Sequence, residues 1–268
     1  MRALSAGMVA LAVLPVTSVA RPADETEPVF QNSPERRVVE EQDWGRWLGP
    51  YRAKLVPSLM QDFGERYIYV DANRALSDPL PGERRVVFIG DSITDRWDLA
   101  RSFPGKPYVN RGIGSQVTAQ MVLRFQQDVV ALEPAAVVIL AGINDLHGFL
   151  QKETPETITQ NYQAMADIAD RHGIEVIFCS ILPIHNYTDQ ARTMLQERNP
   201  ETLRQLNDWL RRFAAQRGYG YADYHAAMAD GTGLLRRELA EDGIHPLRSG
   251  YAIMAPILQA EIDRALSP

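Results

Sequence analysis

A run of four apolar residues, Val86 to Ile89, is followed directly by Gly90, Asp91 and Ser92. The run combines β-branched and aromatic side chains, which is typical of a strand buried on both faces of a parallel sheet. Open parallel sheets bind ligands at the carboxyl ends of their strands. The stretch therefore predicts a serine hydroxyl held at the edge of a sheet. The alternative is a turn whose polar side chains only cap the next helix.

Further short apolar runs alternate with helical patterns along the rest of the chain. Long crossovers between consecutive strands favour a parallel sheet with helices on both faces, which is a three-layer α/β/α domain. Four more strands are predicted, near Tyr108–Asn110, Ala135–Leu140, Glu175–Ser180 and Tyr219–Asp223. Helices are predicted to begin after the caps Thr118 and Thr154, at Pro200 and after Pro246.

The first twenty residues have the layout of a secretory signal peptide. Arg2 precedes an apolar segment from Met8 to Val16, and Ser18 to Ala20 supply the small residues of a cleavage site. A membrane anchor is the competing interpretation. The apolar segment is shorter than the ~20 residues that span a bilayer, and Pro15 interrupts it. The sequence therefore predicts a secreted or periplasmic protein without a stable membrane span.

Two segments separate the signal peptide from the α/β domain. Residues 21–40 are rich in Pro, Glu and Arg, which predicts a flexible tail. Residues 41–82 carry aromatic and leucine side chains at helical spacing, which predicts an N-terminal helical extension packed on the outside of the domain. In the alternative interpretation, those aromatic residues line a substrate cleft. Residues 83–268 are predicted to form the α/β domain itself.

Net charge and cysteine content exclude some functions. The formal charge is −6, and no basic run interleaved with aromatic residues occurs, which argues against a nucleic-acid partner. Cys179 is the one cysteine and stands inside an apolar run. We therefore expect it to be a buried strand residue rather than a catalytic thiol or half of a disulfide.

Polar residues follow several predicted strands and precede the last helix, at positions that share one edge of a parallel sheet. A serine hydroxyl needs a neighbouring base before it becomes a good nucleophile. His245 can accept the proton of Ser92, while Asp242 accepts a hydrogen bond from the other ring nitrogen and fixes the tautomer. Taken singly, Asp242 could instead be a helix cap and His245 a solvent-facing residue.

Acyl transfer also needs hydrogen-bond donors for the developing oxyanion. The candidates are the backbone N–H of Ser92, a backbone N–H at Gly114 or Ser115, and the side-chain amide of Asn144. Asn144 and the aspartate that follows it could alternatively form a simple turn. The meeting of all these residues at one sheet edge is what favours the catalytic interpretation.

The chain resembles the SGNH, or GDSL-type, hydrolases over about residues 85 to 265. The resemblance implies a flavodoxin-like five-stranded sheet of order 2-1-3-4-5 and no metal or organic cofactor. It also implies Ser92 as nucleophile, His245 as base, Asp242 as its orienting partner and Asn144 as an oxyanion donor. Four blocks carry it: Gly90-Asp91-Ser92, Asn110 to Gly114, Gly142 to Asp145, and Asp242 to Pro246.

One departure from the family pattern concerns the second oxyanion donor. The family carries a glycine at the position of Ser115. Because that donor is a backbone N–H, Ser115 can supply it if its backbone conformation suits a residue with a Cβ atom. Otherwise the turn shifts and Gly114 donates.

These residues predict a secreted serine esterase that hydrolyses small carboxylic esters through an acyl-enzyme. The family's substrates extend to short-chain acyl esters, acetylated carbohydrates, lysophospholipids and thioesters. A ligand-binding protein that has lost catalysis is the alternative, and a phosphate-binding turn is disfavoured because the glycine pattern of a nucleotide loop is missing. The sequence leaves the oligomeric state open. Weaker substrate-binding candidates are Asp91, Trp97, His147 and His185.

Overall fold

A computed structural model describes residues 45–148, 150 and 152–267. The predicted signal peptide and flexible tail, residues 1–20 and 21–40, lie outside the described residues. Five parallel strands form one sheet: β1 (Val86–Gly90), β2 (Tyr108–Gly112), β3 (Ala136–Leu140), β4 (Glu175–Cys179) and β5 (Gly220–Ala222).

Helices flank this sheet and make the three-layer α/β/α arrangement that the sequence predicts. No helix within the described residues is both long and apolar enough to cross a lipid bilayer. The helices are α1 (Gly45–Leu59), α2 (Val70–Ala75), α3 (Ser92–Asp95), α4 (Leu99–Ser102), α5 (Thr118–Asp128), α6 (Ile143–His147), α7 (Pro155–Arg171), α8 (Asp189–Glu197), α9 (Pro200–Arg217), α10 (Tyr224–Met228) and α11 (Arg248–Ala265).

The strand order is β2-β1-β3-β4-β5, which confirms the predicted topology. From β1 the chain crosses to β2 on one side and then to β3 on the other. Gly90, the last residue of β1, pairs with Gly112 of β2 and Leu140 of β3. This reversal of direction opens a crevice at the carboxyl ends of β1 and β3, where doubly wound sheets bind ligands.

The core lies where the apolar runs predicted it. Every residue of β1 and β3 is buried, because helices cover both faces of the central strands. Cys179 is fully buried at the end of β4, and burial raises the pKa of its thiol to about 12. A thiol in this state is a packing residue, as predicted.

Helix boundaries differ from the sequence predictions where side chains have competing partners. Thr154 caps α7 as predicted, with its hydroxyl accepting from the backbone N–H of Thr157. Thr118, by contrast, is the first residue of α5 and not its cap, because its hydroxyl and N–H both donate to the carboxylate of Asp145. The segment 183–199 contains a further helix, α8, that the sequence analysis did not predict.

The N-terminal extension is joined to the domain by hydrogen bonds. Between α1 and α2, the carbonyls of Phe63 and Gly64 accept from the side-chain amides of Gln120 and Gln116. The hydroxyl of Tyr69 donates to the carbonyl of Gly112 at the end of β2. Residues 63–69 therefore hold the strand and loop that lead into α5.

Arg124 of α5 is fully buried beneath the carboxyl end of the sheet. Its guanidinium donates to the carbonyls of Gly90 and Arg111 at 3.1 and 2.8 Å, and to the amide oxygen of Gln116 at 2.6 Å. It also forms an ion pair with the buried carboxylate of Asp128 at 3.2 Å. One side chain thus connects the last residue of β1 to β2 and to the following loop.

We expect Arg124→Met to lower the free energy of unfolding by about 3–5 kcal/mol, because it leaves the buried carboxylate of Asp128 without its cation and removes the hydrogen bonds to Gly90, Arg111 and Gln116. Urea denaturation monitored by circular dichroism measures the loss. The matched variant is Arg212→Met on the exposed surface of α9, for which we expect a change within about 0.5 kcal/mol. Equal losses in the two variants would contradict this role for Arg124.

Candidate active site

The chain leaves β1 through a tight turn that places Ser92 at the switch point of the sheet. Asp91 caps α3, with one carboxylate oxygen accepting from the backbone N–H of Ile93 at 2.9 Å. Gly90 allows this turn to pack closely, since a Cβ atom there would lie 2.6 Å from the carbonyl oxygen of Leu140. Ser92 is consequently the first residue of α3 and reaches the crevice.

The three residues predicted to act together lie in hydrogen-bond contact. The hydroxyl oxygen of Ser92 is 2.8 Å from Nε2 of His245. Nδ1 of the same imidazole is 2.5 Å from Oδ2 of Asp242. The other carboxylate oxygen of Asp242 accepts from the backbone N–H groups of Ile244 and His245 at 3.0 and 2.9 Å. These contacts fix the ring with Nε2 directed at Ser92.

Asp242 is held in its ionised form. Burial acts to raise the pKa of the carboxyl, but the hydrogen bonds from the ring and backbone of His245 and from Ile244 outweigh it. The pKa of Asp242 therefore lies below its ordinary range. An ionised carboxylate accepts the Nδ1–H hydrogen bond and leaves Nε2 as the acceptor for the serine proton.

Gly243 gives the loop between Asp242 and His245 its shape. Its φ angle is +97°, in the region that glycine adopts without cost. A Cβ atom there would lie 2.8 Å from Cβ of Ala191 and 3.3 Å from the ring of His185. The backbone N–H of His185 also donates to the carbonyl of Gly243 at 3.2 Å. The loop is therefore packed against the segment that follows β4.

The predicted oxyanion donors line the same cavity as Ser92. A Cβ atom on Gly114 would lie 3.9 Å from Cβ of Ser92, which shows how closely the two loops approach. Within the described residues, no hydrogen bond occupies the backbone N–H of Ser92, Gly114 or Ser115. Ser115 has a φ angle of +67°, so a residue with a Cβ atom adopts the left-handed conformation here.

Two side chains tie the loop after β3 to the loop after β2. The amide nitrogen of Asn144 donates to the carbonyl of Gln116 at 3.1 Å, which leaves its second N–H for another acceptor. The buried carboxylate of Asp145 accepts from the backbone N–H of Thr118 at 3.0 Å and from the Thr118 hydroxyl. The spacing between the donors of the two loops is fixed by these contacts.

The cavity over Ser92, which we call the serine pocket, has a volume of about 340 Å³. Some of its lining residues were not among the sequence candidates. Tyr51 of α1 lies beside Ser115, whose hydroxyl donates to the tyrosine oxygen at 3.3 Å. The pocket is also lined by Asp95, Arg96 and Arg198. The aromatic stripe containing Tyr51 was the available signal, whereas nothing in the sequence around Arg198 indicated a pocket residue.

The weaker substrate-binding candidates separate in the structure. His147 lines the serine pocket, and burial together with the charge of Arg198 lowers its pKa to about 3, so the ring is neutral. Asp91 is fully buried and serves as a helix cap instead of lining the pocket. His185 is buried and contacts the carbonyl of Ala240 at 3.1 Å, also away from the pocket.

Trp97 is likewise not at the serine pocket. It is 4% exposed because its ring packs against Phe88, Phe103 and Tyr251, with centroid separations of 5.9, 5.6 and 5.2 Å. Its edge faces a separate groove beside α11. Sequence position after the serine turn did not reveal that the side chain points into the core.

Side chains that could ligate a metal ion do not cluster in the described part of the chain. Within that part of the chain, no group of three or more His, Cys, Asp or Glu side chains could hold a metal ion. The polar residues of the serine pocket instead form a hydroxyl, imidazole and carboxylate series beside free N–H donors. That arrangement is suited to nucleophilic attack on a carbonyl group.

Comparisons with known proteins agree with this architecture. A GDSL-like lipase of Bacteroides thetaiotaomicron is 32% identical, with a TM-score of 0.71 over 76% of this chain and all of that one. An acetyl-xylooligosaccharide esterase of Geobacillus stearothermophilus, Axe2, is 24% identical with a TM-score of 0.51, covering 67% of this chain and 94% of that one. The latter shows similarity of fold alone.

A lipoprotein of Bacillus subtilis, YqeF, is 30% identical over 124 residues, which cover 38% of this chain and 50% of that protein. The chain thus spans about half the length of this curated relative. The similarity concerns a part of each protein and carries no activity with it.

The doubly wound sheet of order 2-1-3-4-5 with a serine after its first strand is the fold that this chain shares with the GDSL-like hydrolases, a class also called SGNH hydrolases. The chain belongs to the GDSL-like Lipase/Acylhydrolase family, whose family model matches residues 88–253. The chain carries a serine, an imidazole and a carboxylate in hydrogen-bond contact at the sheet edge of that fold.

Burial of Asp145 predicts a pH dependence of stability. Loss of hydration raises the pKa of this carboxyl to about 7, from an ordinary value of 3.8. Between these values the unfolded chain releases a proton that the folded protein keeps, so the free energy of unfolding falls as the pH rises. We expect Asp145 to contribute a decrease on the order of 2–4 kcal/mol across that interval.

Denaturation of the native protein and of Asp145→Asn between pH 4 and 8 isolates this contribution. The difference between the two stability curves should change between about pH 4 and 7 and become constant above it. A constant difference over the whole range would show that Asp145 titrates as it does in the unfolded chain.

Proposed function

We propose that this protein is an extracytoplasmic serine esterase that works through an acyl-enzyme. Ser92 is the nucleophile, His245 the general base and Asp242 the group that orients the imidazole. The proposal depends above all on the continuous contact from Ser92 through the imidazole to Asp242, at 2.8 and 2.5 Å. This contact joins residues that are 153 positions apart in the chain.

The reaction follows from the proton positions. Nε2 of His245 takes the hydroxyl proton as the oxygen of Ser92 bonds to the ester carbonyl carbon. The imidazolium, stabilised by Asp242, then donates that proton to the departing alcohol oxygen, and the acyl-enzyme remains. Water then attacks the acyl carbon while the imidazole takes its proton. The bond between that carbon and the Ser92 oxygen breaks, the imidazolium returns the proton to the serine oxygen, and the acid leaves.

The developing oxyanion is stabilised by donors that are already in place. Under the proposal these are the backbone N–H groups of Ser92 and Ser115 and the side-chain amide of Asn144. Support comes from the absence of competing hydrogen bonds to the two backbone groups within the described residues, and from the fixed position of the Asn144 amide. Gly114 is the alternative second donor on the same turn. Fixed donors of this kind cost no reorganisation during the reaction.

The size of the serine pocket favours a short acyl group. Its volume of about 340 Å³ lies at the lower end of the ~300–1,000 Å³ range of small-molecule sites. Short-chain acyl esters and acetylated carbohydrates fit this volume better than long acyl chains. Lysophospholipids, which carry a long acyl chain, are therefore less favoured among the predicted substrates, whereas a thioester of a short acid remains compatible with the volume.

An extracytoplasmic location is proposed from two observations. Residues 1–20 have the composition of a signal peptide. The relative YqeF is a lipoprotein by name. Residues 41–82 are proposed as a helical extension and residues 83–268 as the hydrolase domain.

We expect Ser92→Ala to reduce kcat for p-nitrophenyl acetate by at least about 10³-fold, because the variant lacks the nucleophile. The matched control is Ser249→Ala on the exposed first turn of α11, which should keep the native rate. Both rates are measured from nitrophenolate absorbance, together with circular dichroism to show that each variant is folded.

Labelling distinguishes the esterase from a binding protein on the same fold. An organophosphonate should form one adduct on Ser92 of the native protein and none on Ser92→Ala, as read by mass spectrometry of the tryptic peptide. Turnover that survives in Ser92→Ala, or a native protein that neither turns over ester nor accepts the label, would overturn the proposed function.

The two proposed oxyanion donors next to Ser92 predict different effects of substitution on kcat, because one is a side-chain amide and the other a backbone N–H. Asn144→Ala removes a side-chain donor and should lower kcat by about 10²–10³-fold with a smaller change in KM. Ser115→Gly keeps the backbone N–H and relieves the left-handed conformation, so kcat should stay within about threefold of the native value. Steady-state kinetics on p-nitrophenyl acetate compare the two, and a greater loss for Ser115→Gly would assign catalysis to its hydroxyl.

A further inference from the structure

A second and larger cavity lies next to the serine pocket. This lateral groove, with a volume of about 970 Å³, runs between residues 96–106 and α11. It adjoins the serine pocket at Arg96, which lines both cavities. Pro246, directly after His245, forms part of its wall. The two cavities therefore meet at Arg96, the side chain that a ligand with its ester over Ser92 would pass to reach the lateral groove.

Four cationic side chains line the lateral groove: Arg96, Arg101, Lys106 and Arg248. The groove has one carboxylate, Asp98, which accepts a hydrogen bond from the backbone N–H of Arg101 as the cap of α4. Within the described residues, none of the four cationic side chains makes a hydrogen bond or an ion pair.

This grouping contrasts with α9, where three of the four arginines, Arg204, Arg211 and Arg217, form ion pairs with neighbouring carboxylates. The whole chain carries a formal charge of −6, so four exposed cations without ion-pair partners around one cavity are a local reversal of sign. A cleft lined by one sign of charge concentrates ligands of the opposite sign.

The cations extend along the whole length of the groove. Arg96 follows α3 at the carboxyl edge of the sheet, whereas Lys106 precedes the first residue of β2 at the amino edge. The five residues of β2 separate these edges by about 15 Å at the usual rise per strand residue. Arg101 lies between them in sequence, on α4.

This spread of charge points to a ligand with several anionic groups along its length. A phospholipid carries its charge at one end, which would leave the cations at the other end of the groove without partners. The groove is also lined by the exposed apolar residues Pro104, Leu247 and Pro256, which can contact the faces of sugar rings. A carbohydrate chain with carboxylates at intervals matches both the charge spacing and the walls.

We propose that the lateral groove binds the carboxylate-bearing part of an acidic oligosaccharide whose acetyl ester is cleaved at Ser92. This inference rests on the proposed esterase function and specifies its substrate class. The serine pocket holds the acetyl group, and Arg101, Lys106 and Arg248 bind carboxylates on neighbouring sugar units. These are specificity-determining residues, since they act on the bound chain and not on the reacting atoms.

The test compares acetylated oligogalacturonate of about six units with acetylated xylo-oligosaccharide of the same length. In Arg101→Gln/Lys106→Gln, we expect KM for the acidic substrate to rise about tenfold with kcat unchanged, because two charge contacts are lost. Kinetics on the neutral oligosaccharide and on p-nitrophenyl acetate should remain native. The matched control is Arg171→Gln/Arg212→Gln, which removes two exposed cations from α7 and α9. This variant should have native KM and kcat values for both oligosaccharides.

Salt gives an independent measurement on the native protein. About 0.5 M NaCl should raise KM for the acidic substrate and not for the neutral one, since screening weakens contacts between exposed charges. Equal KM values for the two oligosaccharides, or equal losses on both in the groove variant, would overturn the proposal. If the groove variant loses binding to phosphatidylglycerol vesicles while its kinetics on acetylated oligogalacturonate stay native, the groove binds a lipid and the proposal is overturned.

Binding without turnover separates this proposal from the esterase assignment. Calorimetry with deacetylated oligogalacturonate should give about tenfold weaker binding to the groove variant than to the native protein. If ester hydrolysis and labelling fail while this difference holds, the groove assignment stands without the enzymatic one. If hydrolysis of p-nitrophenyl acetate proceeds and the native protein and the groove variant bind oligogalacturonate equally, the esterase assignment stands without the groove assignment.

Discussion

The two oxygens of the Asp242 carboxylate have separate tasks, and the geometry of the site depends on that division. One oxygen accepts from backbone N–H groups of its own loop, and the other accepts from the imidazole of His245. The first set of contacts holds the carboxylate still and keeps it ionised, so the second can fix the ring. Because the ring is fixed, Nε2 meets the hydroxyl of Ser92 across a gap of 153 residues in sequence.

The other half of the site depends on a buried cation. Arg124 binds the carbonyl that ends β1 and the amide side chain of Gln116, whose own carbonyl receives the Asn144 amide. The turn that presents Ser92 and the loops that carry the oxyanion donors thus share one hydrogen-bond network. A buried network of this kind is rigid when every member is satisfied. Rigidity here keeps donors and nucleophile at a constant separation.

The sequence was informative wherever local pattern and chemistry coincide. Apolar runs such as Val86 to Ile89 located the strands, and long crossovers between them determined the parallel order. Side-chain direction was harder to predict. Asp91 directly precedes Ser92 and Trp97 follows it by five residues, yet both are buried, because Asp91 caps α3 and the Trp97 ring packs among core aromatic residues beyond the end of that helix. Thr118 was misassigned as a cap because its partner, Asp145, lies 27 residues away.

Two pocket residues come from far away in sequence, and only one of them had a sequence signal. Tyr51 enters the serine pocket from outside the segment that matches the family, and Arg198 enters from the loop before α9. The aromatic residues of the segment 41–82 gave a signal for Tyr51, whereas no pattern marked Arg198, because its role depends on tertiary contacts. By contrast, the spacing of Asp242 and His245 was readable because both lie on one turn.

The hydrogen bonds between residues 63–69 and the loop before α5 have a consequence for how this protein can diverge. The amides of Gln116 and Gln120 find their acceptors in the segment upstream of β1, outside the family match. Any lineage that shed or replaced that segment would bury two polar groups without acceptors, directly behind the oxyanion loop. Selection for a working pocket therefore extends to a stretch that carries no hydrolase motif, and the two regions are expected to change together.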